Sequence, residues 1–213
     1  MVDIIVRFTN LYIERNFGGS TDSKKDKRNV GNTNREEIMA LICILFLLGV
    51  KKCSKLNLAG AWSEDGTGIE ILQGVMGVNK FKFLISCVRF DDKITRSDRR
   101  KTDKLAPIRE LYDSFVANCQ TSYSPGEHLT IDEKSEPFRG NCSFIQYIPN
   151  NPTKYGLKIF AIVDSLTFYT LGLEVYYGAQ PPGPYQVPNS SHDIVHRLIS
   201  KWKGSHRNVT TNN

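Results

Sequence analysis

Residues 125–133 read PGEHLTIDE and residues 138–140 read FRG, and these two stretches decide the fold that we expect for the chain. The first stretch predicts a turn followed by a short strand. Leu129 and Ile131 share one face of that strand and Asp132 lies on the other, because side chains alternate along a strand. A strand with one buried face can hold an aspartate rigidly enough to bind a metal ion. The alternative is a solvated strand end, since most ionisable side chains are simply exposed.

The composition is that of an ordinary globular protein with a basic balance. The 213 residues suit one large domain or two small ones, and the formal net charge of +6 permits contact with a polyanion. The five cysteines are dispersed and include no C-x-x-C pair. This pattern argues against a disulfide framework and against a structural zinc site, and it favours a reducing compartment.

No targeting or membrane segment is predicted. Charged residues interrupt positions 1–16, which therefore lack the apolar core of a signal peptide. The longest apolar run, residues 40–50, is too short to span a bilayer and indicates a buried helix. We expect an intracellular, soluble protein.

The first half of the chain is predicted to be helical. Apolar residues recur at intervals of three and four over residues 1–17, which predicts an amphipathic helix, and residues 18–34 are typical of a flexible loop. Asn34 is expected to cap the next helix with Glu37 as its capping partner. That helix is apolar on most sides, so we expect it at the centre of a helical core.

Later helices are indicated around residues 81–88 and after Pro107, which suits a first helical turn. Residues 51–77 are expected to be rich in loops. Between the two later helices, residues 89–104 mix seven cations with four aspartates. One interpretation is a loop that contacts phosphates, and the other is a solvated loop of mixed charge.

After Tyr123 the periodicity changes to that of strands. Strands are predicted at residues 128–132, 157–163 and 167–177, followed by an exposed loop at 178–188. Ser191 is expected to cap a helix that Gly204 closes, and residues 208–211 begin a fourth strand. This order suits an antiparallel three-strand meander whose helix crosses over to a strand beside the first, as in ribonuclease H-like folds.

Several motifs together resemble those of piggyBac-type transposases. They include LTIDE at 129–133, FRG at 138–140, YIPN at 147–150, Pro152, KYG at 154–156 and KI at 158–159. RFDD at 89–92, DKLAPIR at 103–109 and RNVT at 207–210 are similar to that family too. The resemblance covers roughly residue 34 to the end.

The resemblance implies a cut-and-paste DNA transposase, in which a helical dimerisation and DNA-binding region precedes a ribonuclease H-like catalytic domain. Three family aspartates hold two divalent metals, Mg²⁺ or Mn²⁺, about 4 Å apart, which stabilise the attacking and leaving oxygens. The first aspartate matches Asp132. The second matches Asn212, and the third lies beyond the last residue of this sequence, as does the family's cysteine-rich zinc domain.

No other carboxylate is expected to complete the site. If the first two strands pair with Leu157 near Glu133, Asp164 lies roughly 20 Å from Asp132. Glu133 points to the opposite face from Asp132. The family's basic residues near Asn141 and Ile145 are uncharged here. His192 and His196 are interpreted as surface residues, because a complete metal site needs a third partner.

We therefore predict an α+β fold with a helical N-terminal region and an incomplete ribonuclease H-like domain. The predicted segments are an N-terminal helix and loop (1–33), a helical dimerisation and DNA-binding-like region (34–123) and a partial catalytic domain (124–213). Asp132 is the predicted catalytic and metal-binding residue of an incomplete site. The predicted DNA contacts are Arg96, Arg99, Arg100, Lys101, Lys104 and Arg139.

Three functional hypotheses follow. The first is a truncated, catalytically inactive piggyBac-derived protein that retains at most DNA or partner binding. The second is the N-terminal part of an active transposase, and the third is a protein-interaction module without a nucleic-acid role. We expect no bound cofactor in this chain, DNA as the partner, a homodimer by resemblance, neither a membrane nor a small-molecule substrate, and a nuclear location.

Overall fold

The computed structural model describes residues 1–18, 31–53, 57–149 and 154–211, in two compact units, Met1–Lys93 and Ile94–Asn213. Within these residues no helix combines the length and the apolar character that crossing a bilayer requires. Residues 19–30, most of the loop predicted at 18–34, lie outside the described residues. The predicted functional boundaries at 33/34 and 123/124 remain predictions.

The described part of the first unit is helical, as predicted. Its helices are α1 (Val2–Phe17), α2 (Arg35–Val50), α3 (Leu58–Ala61), α4 (Glu70–Val75) and α5 (Val78–Cys87). The amphipathic character of α1 is confirmed, because Ile5 and Ile13 are buried. Residues 57–77 contain two short helices within the predicted loop region, and the indole of Trp62 is buried there, donating from Nε1 to the carbonyl of Met76 at 2.8 Å.

Helix α2 begins as predicted but is not central. The side chain of Asn34 accepts a hydrogen bond from the backbone N–H of Glu37 at 2.8 Å, which confirms the cap. The Glu37 carboxylate accepts from the hydroxyl of Thr33. Only one face of α2 is buried, through Ile38, Leu41 and Ile44, whereas Phe46 is 73% exposed. The expectation that α2 is central was wrong, because the apolar composition of a helix does not determine how many of its faces are buried.

The second unit contains three helices among its described residues: α6 (Arg96–Arg99), α7 (Arg109–Thr121) and α8 (Ser191–Leu198), the last followed by a 3-10 turn at Ser200–Trp202. Pro107 lies before α7 and not in its first turn, since Ile108 is the N-cap. The cap of α8 is Ser190 and not Ser191, because its hydroxyl accepts from the N–H of Asp193. Gly204 follows with a φ of 73°, a left-handed conformation that glycine adopts without strain.

The sheet of the second unit has the predicted order. Its strands are β1 (His128–Pro137), β2 (Gln146–Tyr147), β3 (Tyr155–Asp164), β4 (Thr170–Val175) and β5 (Asn208–Thr211). Strand β3 pairs antiparallel with β1, β2 and β4, while β5 pairs parallel with β1. The meander and the return of the chain beside the first strand are therefore confirmed. Strand β2 was not predicted, and β1 runs five residues beyond the predicted end.

The core of this unit lies on one face of β1. Leu129 and Ile131 are buried as the alternation predicts, and they cluster with Ile162, Leu171, Ile194 and Leu198. Two members of this cluster belong to α8, so this helix covers that face. Helix α7 packs against β4, and the hydroxyl of Tyr112 donates to the carbonyl of Leu173 at 2.5 Å. The opposite face of β1 is left to carry Asp132.

Candidate catalytic carboxylate and nucleic-acid interface

Asp132 is an exposed side chain in the middle of β1, paired across the ladder with Ala161. Its carboxylate accepts a hydrogen bond from the N–H of the next residue, Glu133, at 2.7 Å. It borders a cleft of about 350 Å³ that extends to Ser191 at the start of α8 and to Thr211 at the end of β5. The strand therefore presents this carboxylate to solvent in a recessed position.

The neighbouring Glu133 does not complete the site. Its carboxylate forms an ion pair with the ammonium group of Lys158 on β3. That ammonium also lies 4.9 Å from the centre of the Phe160 ring. By strand alternation the Glu133 side chain lies on the face opposite to that of Asp132. Glu133 and Lys158 border the same cleft as Asp132, and there the lysine neutralises the charge of Glu133.

Asp164 is closer to Asp132 along the ladder than predicted, yet it serves another purpose. The predicted separation of roughly 20 Å was wrong, because the register pairs Asp164 with Leu129 and Leu157 with Glu136. Asp132 lies three positions along β1 from Leu129, a distance of about 10 Å along the strand. Cross-strand partners share a face, so Asp164 belongs to the face of Leu129. It cannot join Asp132 at one metal ion.

The carboxylate of Asp164 is occupied by the backbone. One oxygen accepts from the N–H of Gly126 at 2.7 Å, and the other accepts from Leu166 at 2.9 Å and Thr167 at 3.0 Å. The bond from Gly126, followed by those from Thr167 and Leu166, lowers the pKa of Asp164 to about 2. Such bonds stabilise the charged form. Asp164 is thus a structural residue that closes the turn after β3.

The described residues do not fit a two-metal centre. Among them, no group of three or more His, Cys, Asp or Glu side chains is placed to hold a metal ion. Strand β5 is described as far as Thr211, which pairs with Ile131, and Asn212 lies outside the described residues. His192 and His196 are exposed, as interpreted from the sequence, with their rings 4.2 Å apart.

The six predicted DNA-contacting cations differ in their surroundings. Arg99 donates to the carbonyl of Ala106 at 2.6 Å, and Lys104 donates to that of Tyr177 at 3.0 Å. Lys101 forms an ion pair with Asp98 at 2.7 Å, as the mixed-charge interpretation expects.

Arg96 is half-buried, whereas Arg100 and Arg139 are exposed. These two arginines are the best placed of the six to meet a phosphate, and the assignment of all six stays a prediction.

A buried ion pair in the same region was not predicted. Asp103 is 3% exposed and accepts two hydrogen bonds from the guanidinium of Arg109, at 2.7 and 2.8 Å. Burial raises the pKa of Asp103, but the hydrogen bonds from Arg109, Leu105 and Gln180, together with the charge of Arg109, outweigh it and the net shift is downward. Gln180 donates to the same carboxylate and accepts from the N–H of Lys104. These contacts fasten the proline-rich loop at 178–188 to the segment before α7.

A cavity of about 300 Å³, lined in part by Arg100 and Lys104, was not predicted either. We call it the Phe138 cavity. Its lining comes from residues 100–108 on one side and from the loop after β1 and Leu157 on the other. The lining side chains are Arg100, Lys104, Leu105, Pro107, Ile108, Phe138, Asn141, Cys142, Ser143, Phe144 and Leu157. Phe138 of the FRG motif therefore forms part of the cavity wall.

Comparison with known proteins identifies the family. A family model described as Transposase IS4 matches residues 1–213. A piggyBac transposase, solved by cryo-EM in a synaptic complex with hairpin DNA, superposes with a TM-score of 0.83 at 35% identity. The chain belongs to the piggyBac-type transposase family.

The match to the piggyBac transposase covers 98% of this chain and 42% of that chain. The similarity extends beyond the region that starts at residue 34, where the motifs lie. It confirms the predicted α+β fold, in which N-terminal helices precede part of a ribonuclease H-like transposase domain. The chain thus spans less than half of the piggyBac transposase that it matches.

Proposed function

We propose that this piggyBac-type transposase relative binds DNA through exposed cations of its second unit and does not cleave strands at Asp132. The observation that carries the second half of the proposal is the isolation of Asp132. Among the described residues, its neighbour Glu133 is ion-paired with Lys158 and Asp164 is held by backbone N–H groups. The residue that the resemblance assigns to the second family aspartate is Asn212.

An asparagine is a poor substitute for that aspartate. Mg²⁺ and Mn²⁺ are hard cations that prefer oxygen ligands, and anionic oxygens offset their charge. The amide of Asn212 offers a neutral oxygen, so the pair formed with Asp132 carries one negative charge fewer. Two metal ions held close together require more anionic ligands than this pair provides.

The charge of the chain and the exposure of two arginines support DNA binding. The net charge is +6, and both Arg100, which lines the Phe138 cavity, and Arg139, which follows Phe138 in the chain, are exposed. The similar piggyBac transposase was solved with DNA, which supports DNA as the partner here. A nuclear location and a homodimer are proposed on the same family basis.

Binding is tested by fluorescence anisotropy of a labelled duplex at several salt concentrations. Each phosphate contact contributes about 0.9 to the slope of log affinity against log salt. Replacing both Arg100 and Arg139 by Gln is expected to reduce the magnitude of that slope by about two units. Lys203→Gln, which removes one cation outside the cavity, is the control. Absence of binding at low salt would contradict the proposal.

Cleavage is tested by nicking of supercoiled plasmid with Mg²⁺ or Mn²⁺. We expect no metal-dependent nicking above background, and the same result for Asp132→Ala. Metal-dependent nicking that disappears in Asp132→Ala would overturn this half of the proposal.

A second candidate function is strand cleavage, in which Asp132 would act together with residues outside this sequence. The exposed carboxylate of Asp132, at the position of the first family aspartate, favours it. Sequencing the transcript past Asn213 distinguishes the two candidates, because a continuing frame with a further aspartate supports the second.

A further inference from the structure

The Phe138 cavity has the size and lining of a ligand site. Its volume of about 300 Å³ lies at the lower end of the range that small-molecule pockets occupy. Leu105, Pro107, Ile108 and Leu157 give it an apolar wall. None of the described residues that line it is acidic. The cavity therefore suits a compact apolar group that carries negative charge.

Two aromatic rings at the cavity are held in place. A Cβ atom built on Gly140 would lie 2.6 Å from Cζ of Phe138, so the ring rests directly against the backbone of Gly140. Phe144 meets the ring of Tyr177 edge-on, with 6.5 Å between the ring centres. Phe138 is 38% exposed, which leaves part of its ring open to a ligand.

Two cations complete the lining. Arg100 is exposed, and the ammonium group of Lys104 donates one of its three N–H bonds to the carbonyl of Tyr177 at 3.0 Å. That bond holds the ammonium at the cavity wall and leaves its other hydrogens for an anion. Arg139 follows Phe138 in the chain and is exposed.

We propose that the Phe138 cavity binds an unpaired nucleotide of DNA, with the base against Phe138 and Phe144 and the phosphate near Arg100 and Lys104. Aromatic rings beside a cationic groove are the usual means of holding single-stranded nucleic acid, because every base has a face that can stack. A base in an intact duplex is stacked within the helix and cannot enter a cavity. The inference rests on the proposed DNA binding and adds a preference for unpaired DNA.

The test compares two labelled duplexes of equal length, one fully paired and one with two central T·T mismatches, so that the number of phosphates is the same. The wild-type chain is expected to bind the mismatched duplex about tenfold more tightly, because stacking of a single base on an aromatic ring contributes about that gain in affinity. Phe138→Ala should lose this preference while keeping its affinity for the paired duplex. Phe168→Ala, which removes a ring that is 81% exposed in the turn between β3 and β4, should keep the preference.

Gly140→Ala gives a second, independent variant. The added methyl group occupies the space of the Phe138 ring and should displace it, so the preference should fall as in Phe138→Ala. The φ of Gly140 is not in the left-handed region, so alanine is tolerated there by the backbone.

Cysteine footprinting of the wild-type chain locates the nucleotide without any substitution. Cys142 lines the cavity and is partly exposed, whereas Cys43 is exposed on α2 and serves as the internal reference. The mismatched duplex should slow alkylation of Cys142 by iodoacetamide relative to Cys43, and the paired duplex should not.

Equal binding of both duplexes, with Cys142 equally reactive in each, would overturn the cavity proposal while leaving the proposed DNA binding intact. Binding of neither duplex would overturn both.

Discussion

Asp132 and Asp164 lie on adjacent strands of one sheet, yet their surroundings differ in every respect that matters for chemistry. Asp132 is exposed and borders a cleft, whereas Asp164 is 2% exposed and accepts hydrogen bonds from three backbone N–H groups. The first has carboxylate oxygens open to a ligand, and the second uses both oxygens to close a turn. Two carboxylates that lie close together on a sheet therefore do not form a site unless they share a face and keep oxygens free of backbone hydrogen bonds.

The largest expected loss of stability is at Leu129, which lies on the buried face of β1 and is the cross-strand partner of Asp164. Leu129 is 0% exposed, and Leu129→Ala removes apolar contacts and leaves a cavity in the core. We expect the free energy of unfolding to fall by about 2–5 kcal/mol. Urea denaturation measures this loss, with Asp132→Ala as the control. Similar losses in the two variants would contradict the assignment of the two faces.

Asp164→Asn is expected to lower the free energy of unfolding by less than Leu129→Ala does, but by more than Asp132→Asn does. The amide keeps one acceptor oxygen and turns an NH₂ group toward backbone N–H donors, which leaves donors without an acceptor. Asp132→Asn is the matched control, because it makes the same chemical change on the exposed face. Urea midpoints of the two variants, compared at neutral pH, measure the difference, and equal midpoints would show that Asp164 does not hold the turn.

The difference in stability between the wild-type chain and Asp164→Asn should depend on pH. The pKa of Asp164 is lowered from 3.8 to about 2 in the folded chain, by the bond from Gly126 first. A group whose folded pKa is depressed stabilises the fold above its unfolded pKa and loses that contribution as the pH falls through its folded pKa. The difference should therefore be constant above about pH 5 and shrink toward pH 2. Denaturation at a series of pH values measures it, and a difference that grows on acidification would be the opposite of this expectation.

The smallest effect is expected for Asp132→Asn. The side chain is exposed and its recorded hydrogen bond is to the adjacent N–H, which an amide oxygen also accepts. The free energy of unfolding should change by no more than about 0.5 kcal/mol. Thermal and urea denaturation both test this. A loss above about 1 kcal/mol would mean that Asp132 supports the fold, and its interpretation as a retained ligand position would lose its basis.

Much of the second unit could be predicted because its signals are local. The alternation of Leu129 and Ile131 identified the buried face of β1, and the order of strands identified the return of β5 beside it. The register of β1 with β3 was wrong by three residues. Register depends on the turns and on which side chains meet in the core. Residues 159–163 of β3 are apolar at every position, so alternation alone does not show which of them share the face of Leu129.

Two other features depended on contacts between distant segments. The Phe138 cavity joins residues 100–108 to the loop after β1, and the pair of Asp103 and Arg109 holds Gln180 from a third segment. Neither arrangement has a spacing that a reader of the sequence could recognise. Likewise the apolar residues of α2 predicted a helix but not that one face would be exposed.

The family, the order of the strands and the position of Asp132 follow from the amino-acid sequence, because motifs and side-chain alternation are properties of consecutive residues. Only the tertiary structure decided that Asp164 is structural, that Glu133 is neutralised by Lys158 and that two loops enclose a cavity with a cationic rim. The physical reason is that hydrogen bonds, ion pairs and cavities depend on which distant atoms come within a few ångströms of each other. Strand register and loop packing set those distances.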